Sequence, residues 1–266
     1  MNCPYCMSTH INSKGYGMNQ SGRYRRYKCV TCSKGFTQPF EESDIGQASS
    51  QYDTVTESYV RDSEWVSEKT KNKKKFVITS AQSNSTTNQK FLKSLELYCQ
   101  KNNAVLFVIP VKYRNPSSFT DNTDYRWCST LYDYLIENNF KLHEKLKVLG
   151  AVKVNATAVN PLTGLDPISK GDSVVVGHNQ LQMKTLAVNQ DDHPVIMTTT
   201  GTVSNRDYSI SKQGYKAKFN HSFSATLVEL DDKIDAFHIR QLNFDGKGFY
   251  DLDKYYSPDG GKANKE

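Results

Sequence analysis

The sequence lacks two features that would place the protein in a membrane or outside the cell. Its 266 residues contain no apolar run of eighteen, which argues against a membrane-spanning helix. The first residues lack the charged and then apolar pattern of a secretory signal. We therefore expect a cytoplasmic protein, and a chain of this length allows one large domain or two smaller ones.

Cysteine is scarce, and its distribution argues against a disulfide framework. Four of the six cysteines form two Cys-x-x-Cys pairs, whereas Cys99 and Cys128 lie singly in later segments. A redox motif needs only one such pair, while two pairs are typical of a structural metal site. This usage suits a reducing compartment.

The two pairs predict a zinc ribbon over residues 1–40. Cys3-Pro-Tyr-Cys6 and Cys29-Val-Thr-Cys32 are separated by 22 residues, and each tight turn lets both sulfurs face one ion. We expect one structural Zn²⁺, bound tetrahedrally by Cys3, Cys6, Cys29 and Cys32. Because the spacer is long for such a site, it indicates an extended hairpin between the pairs.

Acidic side chains are absent from the first forty residues, although lysines and arginines are frequent there. One run alternates cations with aromatic rings directly before Cys29. Cations contact phosphates and rings stack on bases, so the predicted partner is DNA, with RNA as a further option. The candidate contacts are Arg23, Tyr24, Arg25, Arg26, Tyr27 and Lys28. The alternative is a ribbon that docks on a protein such as RNA polymerase.

Several of these residues together carry a family resemblance. They are Cys3-Pro4-Tyr5-Cys6, the run from Gly22 to Cys32, and Phe36-Thr37. In these positions the segment resembles the N-terminal zinc ribbon of insertion-sequence transposases, and some tailed-phage proteins carry a similar ribbon. The resemblance implies contact with DNA through the ribbon. The portion 76–253 looks similar to uncharacterised phage proteins, which implies a phage-encoded chain.

A change of charge marks the end of the ribbon. Residues 41–68 are acidic, with Arg61 as their single cation, and a lysine-rich stretch follows over 69–75. We interpret residues 41–75 as a linker, with a short helix between Asp53 and Val66 as the alternative. A main domain over 76–256 follows, and the tail 257–266 is predicted to be disordered.

The main domain begins with a strand–helix–strand pattern. Residues 76–81 and 105–110 are typical of buried strands, and Thr86 or Asn88 can cap a helix that runs to about Asn103. This pattern predicts a parallel pair of strands with a ligand-binding rim at their carboxyl ends. The polar residues expected at that rim are Thr79, Ser80, Gln82, Asn84, Tyr113, Arg114 and Asn115.

The remainder of the main domain is predicted to be helical first and then rich in strands. The spacing of Leu131, Leu142 and Leu149 predicts a helical stretch within 117–150. Strands are predicted over 151–158, 173–176, 194–199, 224–230 and 236–244. The fold class is therefore α/β or α+β, with a zinc ribbon followed by a βαβ-containing domain that has a strand-rich C-terminal half.

Three histidines of the strand-rich half are candidates for catalysis or for a second divalent metal. His178 follows an apolar run and a glycine, His221 precedes a strand, and His238 lies within one. A metal held by them would activate water, which would make the protein a metal-dependent nuclease or phosphoesterase. A histidine in a strand is more often a hydrogen-bonded structural residue. The sequence therefore leaves enzymatic activity undecided.

The polar segment 198–218 is the last candidate for phosphate contact. Its hydroxyls, its glycines and its lysines at 212, 216 and 218 suit an anion, whereas a plain loop is the alternative. The function predicted from the whole sequence is that of a zinc-ribbon DNA-binding protein. We expect it to be phage-encoded, regulatory and active in the host cytoplasm.

Overall fold

The computed structural model describes residues 2–19, 22–39, 61–113, 125–189, 194–260 and 262–263. These residues divide into two compact units. The ribbon unit comprises residues 2–19 and 22–39, and the sheet unit comprises the other described residues. Residues 41–60 of the predicted linker lie outside the described residues, as do Arg114 and Asn115 of the predicted rim.

The ribbon unit is a three-stranded antiparallel sheet. Its strands are β1 Ile11–Asn19, β2 Gly22–Cys29 and β3 Gly35–Pro39, in the order β1-β2-β3. The two long strands confirm the extended hairpin expected from the spacer. Tyr27 and Phe36 are register partners, and their rings stack with centroids 5.4 Å apart. They pack with Cys3 and Cys29 into a small core, so the aromatic pair supports the cysteine site.

The sheet unit contains four helices and twelve strands among its described residues. In chain order they are α1 Ser63–Thr70, β4 Lys75–Gln82, α2 Gln89–Asn102, β5 Val105–Val111, β6 Asn139–His143, β7 Leu146–Leu149, α3 Asp166–Ser169, β8 Ser173–Val176, β9 Met183–Leu186, β10 Val195–Thr199, α4 Lys212–Asn220, β11 Ser224–Asp231, β12 Ala236–Asn243, β13 Phe249–Asp251, β14 Lys254–Tyr256 and β15 Lys262–Ala263. A 3₁₀ turn covers Ser129–Leu131. None of the described helices is long and apolar enough to cross a membrane.

The first sheet confirms the predicted βαβ unit. Its order is β12-β11-β4-β5, with β4 and β5 parallel and the other pairs antiparallel. The crossover helix α2 begins after Asn88, whose side chain accepts a hydrogen bond from the backbone of Phe91 at 3.1 Å. It ends at Asn103, which takes the left-handed conformation that commonly closes a helix.

The second sheet has five strands in the order β6-β7-β8-β10-β9. The three central strands are parallel to one another, and both edge strands are antiparallel to their neighbours. A third, small sheet is formed by β13, β14 and β15. The pairing of Lys262–Ala263 with β14 differs from the disordered tail predicted for residues 257–266.

The core follows from the alternation of side chains along β4. Phe76 and Ile78 belong to one cluster with Val148 and Val175 of the second sheet. Val77 and Ala81, which point the opposite way, belong to another cluster with Leu95 of α2 and its neighbours. The first sheet is therefore buried on both faces, which explains why β4 and β5 read as continuous apolar runs.

Two expectations about the middle of the chain are wrong. The described part of the 117–150 stretch forms the 3₁₀ turn and the hairpin β6–β7 in place of a long helix. Phe140 and Leu142 alternate with Lys141, and this period of two decided the outcome. Residues 151–158 form turns and irregular structure, and Val152 and Val154 cover the second sheet without pairing as a strand.

Candidate metal centre

The four predicted ligand cysteines meet at the base of the ribbon hairpin. Their sulfur atoms all lie within 4.8 Å of one another, and they form the single group of three or more potential metal ligands among the described residues. The Sγ atoms of Cys3 and Cys32 are 3.7 Å apart, and those of Cys6 and Cys29 are 3.6 Å apart. All four cysteines are free of disulfides.

These distances fit a tetrahedral zinc ion. A Zn–S bond of about 2.3 Å in a regular tetrahedron separates neighbouring sulfurs by roughly 3.8 Å. These two separations lie close to that value and the other sulfur pairs stay within 4.8 Å, whereas a disulfide would bring sulfurs to about 2 Å. Thiolates are the donors that structural zinc prefers, so the set can hold one metal ion, consistent with zinc.

The two cysteine turns have the same local geometry. In each, the residue after the second cysteine has a positive φ of 59°, at Met7 and at Ser33. In each, the N–H of the first cysteine donates to the carbonyl five residues later, from Cys3 to Ser8 and from Cys29 to Lys34, both at 2.9 Å. Equivalent turns of this kind aim two pairs of sulfurs at one point.

The electrostatics of the site favour a thiolate at Cys29. The backbone N–H of Cys32 is the largest of the influences that lower the pKa of Cys29 to about 6. Although the backbone N–H of Ser8 acts in the opposite direction, burial and the neighbouring thiols raise the pKa of Cys6 to about 12. A bound metal cation would stabilise the thiolate form of all four cysteines and so remove the repulsion between neighbouring thiolates.

The predicted nucleic-acid residues occupy β2, next to the metal site. Tyr24 and Arg26 are half-buried, and Lys28 is exposed. Alternation along the strand assigns these three residues to one face. Tyr27 lies on the other face and is only 9% exposed, because it stacks on Phe36. The side chains of Arg23 and Arg25 lie outside the described part of the structure.

The three candidate histidines do not come together as a metal site. Nε2 of His178 lies 3.0 Å from the carbonyl of Asn155, and its Nδ1 accepts a hydrogen bond from the N–H of Gln180 at 3.0 Å. Burial lowers the pKa of His178, so its ring is neutral near pH 7. His238 is exposed on β12, opposite Glu229. Both ring nitrogens of His178 are thus occupied by the backbone of Asn155 and Gln180, and His238 lies apart at the surface.

His221 belongs to a buried, uncharged network at the predicted rim. Its Nδ1 lies 2.8 Å from Oη of Tyr208, and its Nε2 lies 2.9 Å from the carbonyl of Ser204. Tyr208 also receives a hydrogen bond from Asn179 at 3.0 Å, and Asn179 in turn donates to Gln82. The rim is thus polar, as the sequence predicts, and these hydrogen bonds join segments of the two sheets, although Oδ1 of Asn179 is buried without a hydrogen-bond partner among the described residues.

Sequence reasoning missed a basic and aromatic cavity of about 520 Å³ in the sheet unit. Arg61 and Lys69 lie over the ring of Trp65, at 5.5 and 5.7 Å from its centroid. Arg61 also pairs with Asp133 at 2.8 Å. The spacing of four residues between Trp65 and Lys69 was a usable signal, since such residues are neighbours on a helix.

The fold and the site define a protein with a four-cysteine metal ribbon and a mixed, strand-rich α/β unit. No protein-family model matches the chain, so the resemblance to transposase ribbons rests on the residues quoted above. The chain is 30% identical over 196 residues to Protein A1 of Escherichia phage T5. The match covers 70% of this chain and 35% of the phage protein, so the chain spans about a third of that relative.

Among solved structures, the chain is similar to Vps29 of Chaetomium thermophilum. The alignment covers 65% of this chain and 98% of that one, with 6% identity and a TM-score of 0.32. A likeness at this level supports no conclusion about fold or activity.

Proposed function

We propose that this chain is a zinc-ribbon DNA-binding protein of phage origin, with a regulatory role in the host cytoplasm. The observation that carries the proposal is the position of the metal site. Four sulfurs within 4.8 Å of one another fix the base of a hairpin whose second strand presents Tyr24, Arg26 and Lys28. The similarity to a phage T5 protein supports the phage origin.

The charge of the ribbon supports a polyanionic partner. The first forty residues carry no acidic side chain, so no local carboxylate opposes contact with phosphates. A metal ion ties both ends of the hairpin together and pre-organises β2, which lowers the entropy lost on binding. Phosphate contacts from such a strand give affinity that falls steeply with salt.

The test is a salt titration of DNA binding by the zinc-loaded chain. Anisotropy of a labelled duplex gives the slope of log affinity against log salt for the wild type and for an Arg26→Gln/Lys28→Gln variant. We expect weaker binding and a slope smaller by about 0.9 for each phosphate that the variant no longer neutralises. Lys93→Gln, at an exposed position of α2 in the sheet unit, is the matched control and should leave the slope unchanged. An unchanged slope in the double variant would contradict the proposal.

Docking of the ribbon on a protein is the second candidate, and one observation favours it. Both cysteine turns expose large apolar side chains: Tyr5 is 56%, Met7 70% and Val30 59% exposed. Exposed apolar residues grouped at one site are typical of protein contacts. A Tyr5→Ser/Val30→Ser variant that keeps its DNA affinity but no longer associates with purified host RNA polymerase would support this role.

A further inference from the structure

Helix α4 of the sheet unit exposes a stripe of aromatic and basic side chains. Phe219 is 89% exposed and Tyr215 is 63% exposed, and Ile210, just before the helix, is 83% exposed. Within the helix only Gly214 and Ala217 are buried. Aromatic side chains grouped on a protein surface are seldom this exposed, and such a group is typical of a binding site.

The cations of α4 are interleaved with its rings. Lys212, Tyr215, Lys216 and Phe219 follow the spacing i, i+3, i+4, i+7 and therefore share the face opposite Gly214 and Ala217. Lys218 flanks this face and is also exposed. The sequence from 208 to 228 contains no aspartate or glutamate. The stripe is thus both cationic and aromatic along its whole length.

Hydrogen bonds and a close approach anchor the helix at both ends. At its start, the side chain of Ser211 accepts a hydrogen bond from the N–H of Gly214 at 3.0 Å, and the N–H of Ser209 donates to Oη of Tyr113 at 3.0 Å. Gly214 lies so close to the backbone that an added Cβ would come within 1.9 Å of the Ser209 carbonyl. At its end, the buried His221 is fixed by Tyr208. The exposed rings therefore project from a helix that is anchored at both ends.

We propose that α4 binds single-stranded nucleic acid, with Tyr215 and Phe219 stacking on unpaired bases and Lys212, Lys216 and Lys218 contacting phosphates. The inference deepens the proposed function and rests on it, because nucleic acid is taken as the polyanion. Base faces are open only in a single strand, and stacking on them tolerates any sequence. The helical rise of about 6 Å over four residues gives two rings room for two bases.

The arrangement favours nucleic acid over a lipid surface. A helix that lies on a membrane segregates its apolar face from its charged face. In α4 the lysines and the rings share one face, so a lipid bilayer would bury Lys212 and Lys216 together with Phe219. A strand of nucleic acid offers phosphates and bases alternately, which matches an interleaved stripe.

The experiment measures binding of the zinc-loaded full chain to a labelled oligo(dT) strand and to a labelled duplex. Tyr215→Ser/Phe219→Ser should weaken single-strand binding by about 5- to 150-fold for each ring removed, while duplex binding stays within twofold. Phe219→Trp should retain affinity, and its added fluorescence should be quenched when oligo(dT) is bound. Tyr250→Ser, at a ring 52% exposed on β13, is the matched control and should change neither.

Each other outcome decides against the inference or separates it from the proposed function. Unchanged single-strand affinity in the double variant overturns the inference, as does weaker binding to phosphatidylserine vesicles with unaltered binding to oligo(dT). Self-association of the wild type that the double variant abolishes, with oligo(dT) affinity unaltered, also overturns it. If Arg26→Gln/Lys28→Gln leaves duplex binding intact while the α4 variant no longer binds the single strand, the ribbon proposal fails and this one stands. If the ribbon variant loses duplex binding while the α4 variant still binds the single strand, the ribbon proposal stands and this inference fails.

Discussion

The phenolic oxygen of Tyr208 lies 2.8 Å from Nδ1 of His221, in a site where the histidine is only 4% exposed. The histidine is the acceptor in this contact, since its other nitrogen donates to the carbonyl of Ser204. Burial is the main reason that the pKa of His221 falls to about 4, with the cation of Arg206 acting in the same direction. The fold therefore requires a neutral ring.

The first prediction is a loss of stability in weak acid. The pKa of His221 is about 4 in the folded protein and about 6.5 in the unfolded chain, so the unfolded state binds the proton more readily between these values. Stability due to this group is complete above about pH 6.5 and is lost as the pH falls towards 4, by about 3 kcal/mol in total. Urea unfolding followed by tryptophan fluorescence reports the sheet unit alone, because Trp65 and Trp127 both lie there.

A variant separates His221 from the other groups that titrate in this range. His221→Gln should be less stable at pH 8 but should show a flatter dependence between pH 6.5 and 4. His178 remains in the variant and contributes in the same direction, since burial lowers its pKa as well. An equally steep dependence in the variant would assign the effect to other residues.

The second prediction concerns metal content. The wild type should bind one zinc ion per chain, and Co²⁺ in its place should give the absorption bands of tetrahedral thiolate coordination. Cys29→Ser should abolish those bands and the stoichiometric zinc, because three thiolates no longer close the tetrahedron. Cys128→Ala removes a buried thiol of the sheet unit and is the control that should keep them. Two or more tightly bound metals per chain would bring the enzyme hypothesis forward.

The third prediction tests a close approach at Gly201. This residue has a φ of +68°, and an added Cβ would lie 1.8 Å from Oγ of Ser224. Gly201→Ala should therefore cost more than the 1–2 kcal/mol that is roughly typical of a left-handed alanine. Gly164→Ala is the matched control, since its φ is +77° and nothing lies within 4 Å of an added Cβ. If Gly201→Ala and Gly164→Ala lose the same free energy of unfolding in chemical denaturation, the segments around Gly201 and Ser224 can separate without cost and the prediction is wrong.

Local patterns predicted the ribbon and the βαβ unit because the information for both is short-ranged. Two Cys-x-x-Cys pairs specify a metal site within forty residues, and Asn88 caps α2 three residues before Phe91. Helix α4 escaped prediction because its buried residues, Gly214 and Ala217, carry almost no hydrophobic signal. The fit of Gly201 against Ser224 was equally invisible, since it joins segments that come together only in the folded sheets.

The misread hairpin at 139–149 has a similar cause. The leucines have helical spacing, whereas Phe140, Lys141 and Leu142 alternate as in a strand. Phe140 and Leu142 pack against a core cluster, and this burial favours the strand. The histidine hypothesis depended on long-range contacts as well. His178 and His221 are both buried, and apart from Gln180 their hydrogen-bond partners are distant in sequence: Asn155 for His178, and Ser204 and Tyr208 for His221. Nothing in the local sequence shows that those partners occupy the ring nitrogens.

The fourth prediction concerns Asp251, which cross-links the C-terminal strands to the rest of the sheet unit. Its carboxylate accepts hydrogen bonds from Oη of Tyr98 at 2.7 Å and from Nε of Arg240 at 2.8 Å, and its side chain is 7% exposed. Asp251→Ala leaves both donors without this acceptor and should cost about 3 kcal/mol in chemical denaturation. Asp251→Asn keeps one acceptor oxygen and should cost less. Glu229, the more exposed partner of Arg240, also pairs with Lys75 at 2.9 Å. Glu229→Gln should cost less than Asp251→Ala because the amide oxygen still accepts from these cations. If Asp251→Ala and Glu229→Gln lower the free energy of unfolding equally, the pairing of β13 stabilises the C-terminal strands without help from the Asp251 carboxylate.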